Sequence, residues 1–122
     1  MREVAVIGED LNGLGWTLKS LMDDNLANDK VWKAVRKISG TMVVTETAAD
    51  VSVTIFFEKG GIKIQDGAIA NPTARLAAGF EELSEVAGGQ TGPVKALLTG
   101  KIKAGGNLIQ LLRMARVIIT RD

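Results

Sequence analysis

The hydrophobic period of this chain changes at Gly40, and that change decides its fold class. Before it, Leu14, Leu18, Leu21 and Met22 recur at i, i+4, i+7 and i+8, which places them on one face of a helix. "NLAND" interrupts the pattern, and Asn28 or Asp29 suits the N-cap of a second helix. There Val31, Ala34, Val35 and Ile38 form the apolar face, while Lys33, Arg36 and Lys37 face water; Trp16 falls off the Leu14 stripe. After Gly40 the chain turns β-branched. "TMVVTE" (41–46), "VSVTIFFE" (51–58) and "GIKIQD" (61–66) read as strands, with Gly60 and Gly61 as a tight hairpin connection. In the second of these, Val51, Val53, Ile55 and Phe57 share one face. "TARLAA" (73–78) reads as a fourth strand and "GKIKA" (100–104) as a fifth. Between them lie an acidic helix over 80–88 that turns Phe80, Leu83 and Val86 inward, and a short helical turn over 94–98. A last helix starts at Asn107 and runs to about Ile119. Helices, then strands, then helices predict an α+β fold, with residues 1–122 as a single domain.

Composition removes whole classes of function. With 46% apolar and 24% charged residues, 122 residues can bury a core without metal or disulfide staples. A net charge of +1 and 4% aromatics give neither the field nor the stacking surface that nucleic acid needs. Cysteine, histidine and tyrosine are all absent. Disulfides, thiolate metal sites, the usual general base and triad chemistry go with them, so no metal and no cofactor is expected. No apolar run approaches the ~20 residues of a bilayer span. "MREVAVIGED" is too short and too charged for a secretory signal, so the expectation is a cytoplasmic protein without stable membrane insertion.

Two glycine clusters invite a phosphate-binding reading. In "VAVIGEDLNGLG" (4–15) the glycines fall at 8, 13 and 15, which is not the dinucleotide spacing, and a terminal strand or arm is the simpler expectation. "GGQTGPVK" (88–95) puts Pro93 and Val94 where a phosphate loop needs Lys and a hydroxyl. Glu81 and Glu85 stand at i, i+4 but have no partner motif, so Glu81, Glu82 and Glu85 read as a solvated face. Lys95, Lys101, Lys103, Arg113, Arg116 and Arg121 make the last quarter basic, which reads as a solvated surface or as a site for an anionic head-group or coenzyme phosphate near the mouth of a pocket. The stripe Leu108, Leu111, Leu112, Ala115 and Ile119 is either ordinary core or one wall of an apolar cavity.

"PVKALLTGKIKAGGN" (93–107) resembles the signature of the sterol carrier protein type-2 family. Pro93, Ala96, Leu97, Leu98, Gly100, Lys101, Ile102, Lys103, Gly106 and Asn107 match it in order. "VRKISGTMVV" (35–44) and "FEELSEV" (80–86) resemble the passages upstream. Leu97 and Leu98 stand where the family often carries bulky aromatics, which implies a differently shaped cavity. The resemblance implies a five-stranded, mostly antiparallel sheet covered by helices, with an apolar tunnel between sheet and helices. It implies carriage of a fatty acid, acyl-coenzyme A or a sterol- or isoprenoid-like lipid, without catalysis. The expected lipid contacts are Val53, Ile55, Phe57, Phe80, Leu83, Leu97, Leu98, Leu108, Leu112 and Ala115, with Lys101 and Lys103 near the head-group. The alternatives are an accessory subunit that presents an acyl intermediate to an acyl-metabolising enzyme, as a homodimer or alone, and an enzyme working through carboxylates.

Overall fold

In a computed structural model that describes residues 3–8 and 10–119, the change of period at Gly40 is the passage from helix to sheet. Arg121 of the basic quarter, like Arg2 and Glu9, lies outside the described residues. Strand β1 (Ala5–Ile7) precedes helices α1 (Gly13–Leu26) and α2 (Asp29–Val35). Strands β2 (Ser39–Glu46), β3 (Val51–Glu58), β4 (Ile62–Asp66) and β5 (Ala74–Ala78) follow. Helices α3 (Phe80–Ala87) and α4 (Pro93–Leu98), strand β6 (Lys103–Gly106) and helix α5 (Leu108–Ala115) complete the order.

The sheet is α+β as expected, but it has six strands in the order β1-β4-β3-β2-β5-β6, not five. It is also mixed rather than mostly antiparallel: β1 runs parallel to β4 and β2 parallel to β5, while the other three pairings are antiparallel. The extra strand is the terminal arm. Three residues are too few to show a period, and β1 is held by neighbours distant in sequence. Asp23 accepts from the Val4 N–H (2.8 Å) and from Lys19 Nζ (2.6 Å). The hydrogen bond to Asp23 also raises the Lys19 pKa above its ordinary value, against the opposing effect of burial.

Cross-strand register shows why one face is apolar. Met42 lies opposite Ile55 and Ala74, Val44 opposite Val53 and Leu76, and Ile55 opposite Ile64. All are buried in one core with Leu18, Met22, Leu26, Val35 and Leu111 from the helices. On the other face Thr45 and Ser52 share a hydroxyl hydrogen bond (2.8 Å), and fully buried Thr54 donates to the Gly67 carbonyl (2.8 Å). Because β2 and β5 are parallel, no hairpin can join them. Their alignment is fixed by a reciprocal clasp: Thr73 N–H donates to Thr41 Oγ1 (3.0 Å) and Thr41 N–H to Thr73 Oγ1 (3.1 Å).

Local chemistry sets the element ends. Asn12, Asn28 and Asn107 cap α1, α2 and α5 with side-chain acceptors. The β3–β4 turn is centred on Lys59 and Gly60, both at positive φ, one residue earlier than expected. The last strand lies at 103–106 rather than 100–104, and α5 ends at Ala115 rather than near Ile119. Gly106 has φ +78°, and a Cβ there would sit 2.5 Å from the Thr73 carbonyl oxygen. That glycine lets the chain leave β6 against β5 and enter α5, with the Asn107 N–H donating to the same carbonyl (2.9 Å).

Gly106→Ala combines a disfavoured φ with a backbone clash and is expected to lower stability by about 1–3 kcal/mol in urea denaturation. Gly61→Ala, with nothing within 4 Å of the added carbon, is expected to change it by less than ~0.5 kcal/mol. Equal effects at the two positions would contradict this account of the turn.

Candidate functional site

An apolar crevice of about 60 Å³ opens where α1, the sheet, α3 and the segment after α5 meet. The Asn12 cap sets the phase of α1, so that Leu14, Leu18 and Leu21 face the crevice together with Thr17. Val44, Leu76 and Ile102 form the floor, and Phe80, Leu83, Val86 and Ala87 of α3 the roof. Ala115, Ile118 and Ile119 close the side. Among the described residues only the hydroxyls of Thr17 and Ser84 interrupt this apolar lining, and no charged group takes part.

Leu14, Thr17 and Phe80 also line a wider, open groove of about 690 Å³ that reaches Glu46, Ala48, Ala49 and Val51 at the β2–β3 turn. Glu46 is buried there, but its oxygens are taken by the Ala48 and Ala49 N–H groups at 3.1 and 2.6 Å, so it serves the turn. The groove has the volume of a small-molecule site, whereas the crevice behind it is below that range.

The walls differ in how they are held. Asn25 on α1 donates its amide to the carbonyls of Val117 (2.7 Å) and Ile119 (3.3 Å), which ties the last described residues to the first helix. By contrast, α3 starts at Gly79 without a side-chain cap, and Val86 is the only buried residue along it. Its far end is tethered by Lys101 Nζ on Glu85 Oε2 (2.9 Å). That hydrogen bond, with the lysine's charge, holds the Glu85 carboxyl below its ordinary pKa.

Of the expected lipid contacts, the structure brings Phe80, Leu83 and Ala115 together on the crevice. Val53, Ile55 and Phe57 are buried in the sheet's core, with Val53 packed beneath Gly15 of α1. Leu97 and Leu112 are half-buried away from the lining, and Leu98 (83%) and Leu108 (49%) face solvent. Lys103 is exposed, and Lys101 is engaged with Glu85. Sequence reasoning did not assign Leu14, Leu18 and Leu21 to the site, although their helical stripe was plain. Ile119, on the stripe read as core or cavity wall, lines the crevice from beyond the end of α5, and Ile118, which lines it too, falls off that stripe.

Two outcomes follow from these geometries. Asn25→Ala leaves two carbonyls without their donor and is expected to cost about 1–3 kcal/mol, with faster amide exchange in 117–119 than in β3; unchanged exchange there would mean that the tie does not hold the wall. Glu85 has a depressed pKa in the folded state, so its contribution to stability is present above the unfolded-state pKa and is lost as pH falls through the folded one. Lys101→Gln is expected to move the Glu85 carboxyl titration, followed by NMR, back up toward the ordinary value.

No curated protein sequence matches this one. Among solved structures the fold resembles "UbiJ-SCP2 Ubiquinone synthesis protein", with a TM-score of 0.70, 12% identity, and coverage of 91% of this chain and 93% of the other. It equally resembles part of the stereoselective inverting sec-alkylsulfatase Pisa1 from Pseudomonas sp., at a TM-score of 0.70 and 12% identity. There 89% of this chain corresponds to only 17% of the sulfatase. The solution structure of palmitated SCP2L2 from Aedes aegypti aligns with a TM-score of 0.56 and 21% identity, over 76% of this chain and 91% of that one. The sequence from residue 18 to residue 118 matches the model of the SCP-2 sterol transfer family, and the chain belongs to that family.

Proposed function

We propose that residues 1–122 form one non-catalytic lipid-binding domain that takes the hydrocarbon end of a fatty acid, acyl-coenzyme A or sterol- or isoprenoid-like lipid into the crevice under α3. The carrying observation is the lining: apolar but for the hydroxyls of Thr17 and Ser84, with no charged side chain among the described residues. The polar end stays in the open groove beyond Phe80. At about 60 Å³ the crevice is too narrow for a long chain, so the ligand enters by parting the walls into a tunnel. The wall that yields is α3, which buries one residue and lacks a side-chain cap. Ten methylenes leaving water contribute on the order of 8 kcal/mol at ~0.8 each. Association removes a large part, which leaves roughly micromolar affinity. An exposed lysine adds little to that, so Lys101 and Lys103 are rim groups at most.

The absence of histidine and cysteine and the engagement of Glu46 in its turn support carriage over chemistry. No described helix is long and apolar enough to cross a membrane, which fits a cytoplasmic carrier. One observation favours a second reading, that the domain presents an acyl intermediate to a partner enzyme. Similar folds occur in a ubiquinone synthesis protein and as a small part of an alkylsulfatase chain.

Titration with saturated fatty acids of increasing length is expected to show affinity rising up to about tenfold per two carbons until the site is filled, and no saturable binding of ATP. Phe80 is 62% exposed, so Phe80→Ala is expected to weaken lipid binding several-fold while changing stability by under ~1 kcal/mol. Affinity independent of chain length, or ATP binding without lipid binding, would overturn the carrier reading.

A further inference from the structure

The side of α5 away from the crevice carries a different chemistry. Arg113 and Arg116 stand at i, i+3, and with Lys37, Ala34 and Ile38 they line a recess of about 280 Å³ between α5 and the end of α2. Lys37 also borders a second recess, of about 420 Å³, together with Lys33 and Arg36. Five cations thus converge on one face, and among the described residues no carboxylate lines either recess. None of the five takes part in the ion pairs found among the described residues, which engage Lys19, Lys63 and Lys101.

Position at helix C-termini accounts for some of this, because cations there complement the helix dipole. It does not account for two helix ends that turn their cations toward the same cleft. Nor does it account for the half-buried Arg116 side chain lining that cleft beside Arg113. A guanidinium fork is suited to the oxygens of a phosphate.

We infer that the cleft between α2 and α5 is a binding site for a phosphate group, separate from the apolar crevice. Arg116 and Arg113 supply the directed donors, Lys37 closes the site as a point charge, and Ala34 and Ile38 form its apolar floor. Lys33 and Arg36 extend the positive field toward a second phosphate or a further negative group. A soluble phosphate ester and the phosphate of a lipid head-group share this chemistry.

The probes are inorganic pyrophosphate, and vesicles with and without phosphatidylglycerol, all at constant ionic strength. Pyrophosphate is expected to bind saturably, with NMR shifts centred on 34–38 and 113–117. Arg116→Gln is expected to weaken it at least fivefold. Lys95→Gln removes an exposed cation on α4 and is expected to change it less than twofold. Fatty-acid affinity in Arg116→Gln should stay within twofold of the wild type, which shows that the variant is folded and that the two sites are separate. Displacement of phosphatidylglycerol vesicles by pyrophosphate would identify a lipid head-group as a source of the phosphate in the same cleft. The inference is overturned if pyrophosphate does not saturate, if the two substitutions weaken it equally, or if vesicles bind and pyrophosphate neither binds nor displaces them, since each result describes a diffuse positive surface.

Discussion

The inner face of the sheet must be covered, and the chain covers it with elements from opposite ends of the sequence. Met42, Val44, Val53, Ile55, Ile64 and Leu76 present a continuous apolar surface that strand pairing alone leaves open to water. The first helix α1 lies over one part of it and α5 over another. The two ends are joined where Asn25 donates to the carbonyls of Val117 and Ile119, more than ninety residues away. With α1 and the C-terminal segment fixed to each other, the remaining gap falls under α3, and the crevice occupies that gap.

Such a gap has a cost. An apolar space of about 60 Å³ forfeits packing worth on the order of 1 kcal/mol at ~24 cal/mol per Å³. In a domain with a few kcal/mol to spare that is tolerable, and the hydrocarbon chain of the proposed ligand would restore the missing contacts. A ligand that binds only the folded protein also stabilises it by mass action, so cavity and ligand are coupled through stability as well as affinity.

The sequence made most of the fold legible because alternation and helical spacing are local properties. The sequence of β3 alternates from Val51 to Ile55 and that of β4 from Ile62 to Gln65, β2 is marked by its β-branched run, and the asparagine caps at Asn28 and Asn107 announce their helices. What it concealed is what depends on distant partners. The short β1 has no period of its own and is placed by β4 and Asp23. The parallel pairing of β2 with β5 depends on Thr41 meeting Thr73. The site was harder still, for a physical reason. A helical stripe reports which side chains avoid water, and a cavity wall avoids water as a core does. Leu14, Leu18 and Leu21 therefore carried the signal of ordinary packing. Leu98 and Leu108, within or beside the signature, face solvent, because a motif fixes residue types and the turns around Gly100 and Gly106 fix their direction.

The two faces of α5 place both site chemistries on one short element. Ala115, with Ile118 and Ile119 beyond the helix, lines the apolar crevice, while Arg113 and Arg116, the latter at the C-cap, line the cationic cleft. Since α5 has only eight residues, its packing against α2 on one side and against the crevice on the other cannot vary independently. The opposite wall is under no such constraint: α3 buries little, its N-terminus has no side-chain cap, and its tether runs between two side chains in solvent. With α1 tied to the segment after α5 and α3 held loosely, α3 is the wall proposed to yield. On the proposed carrier reading, a long chain enters beside Phe80 and leaves in place the sheet, the Thr41–Thr73 clasp and the Asn25 tie that hold the rest of the fold.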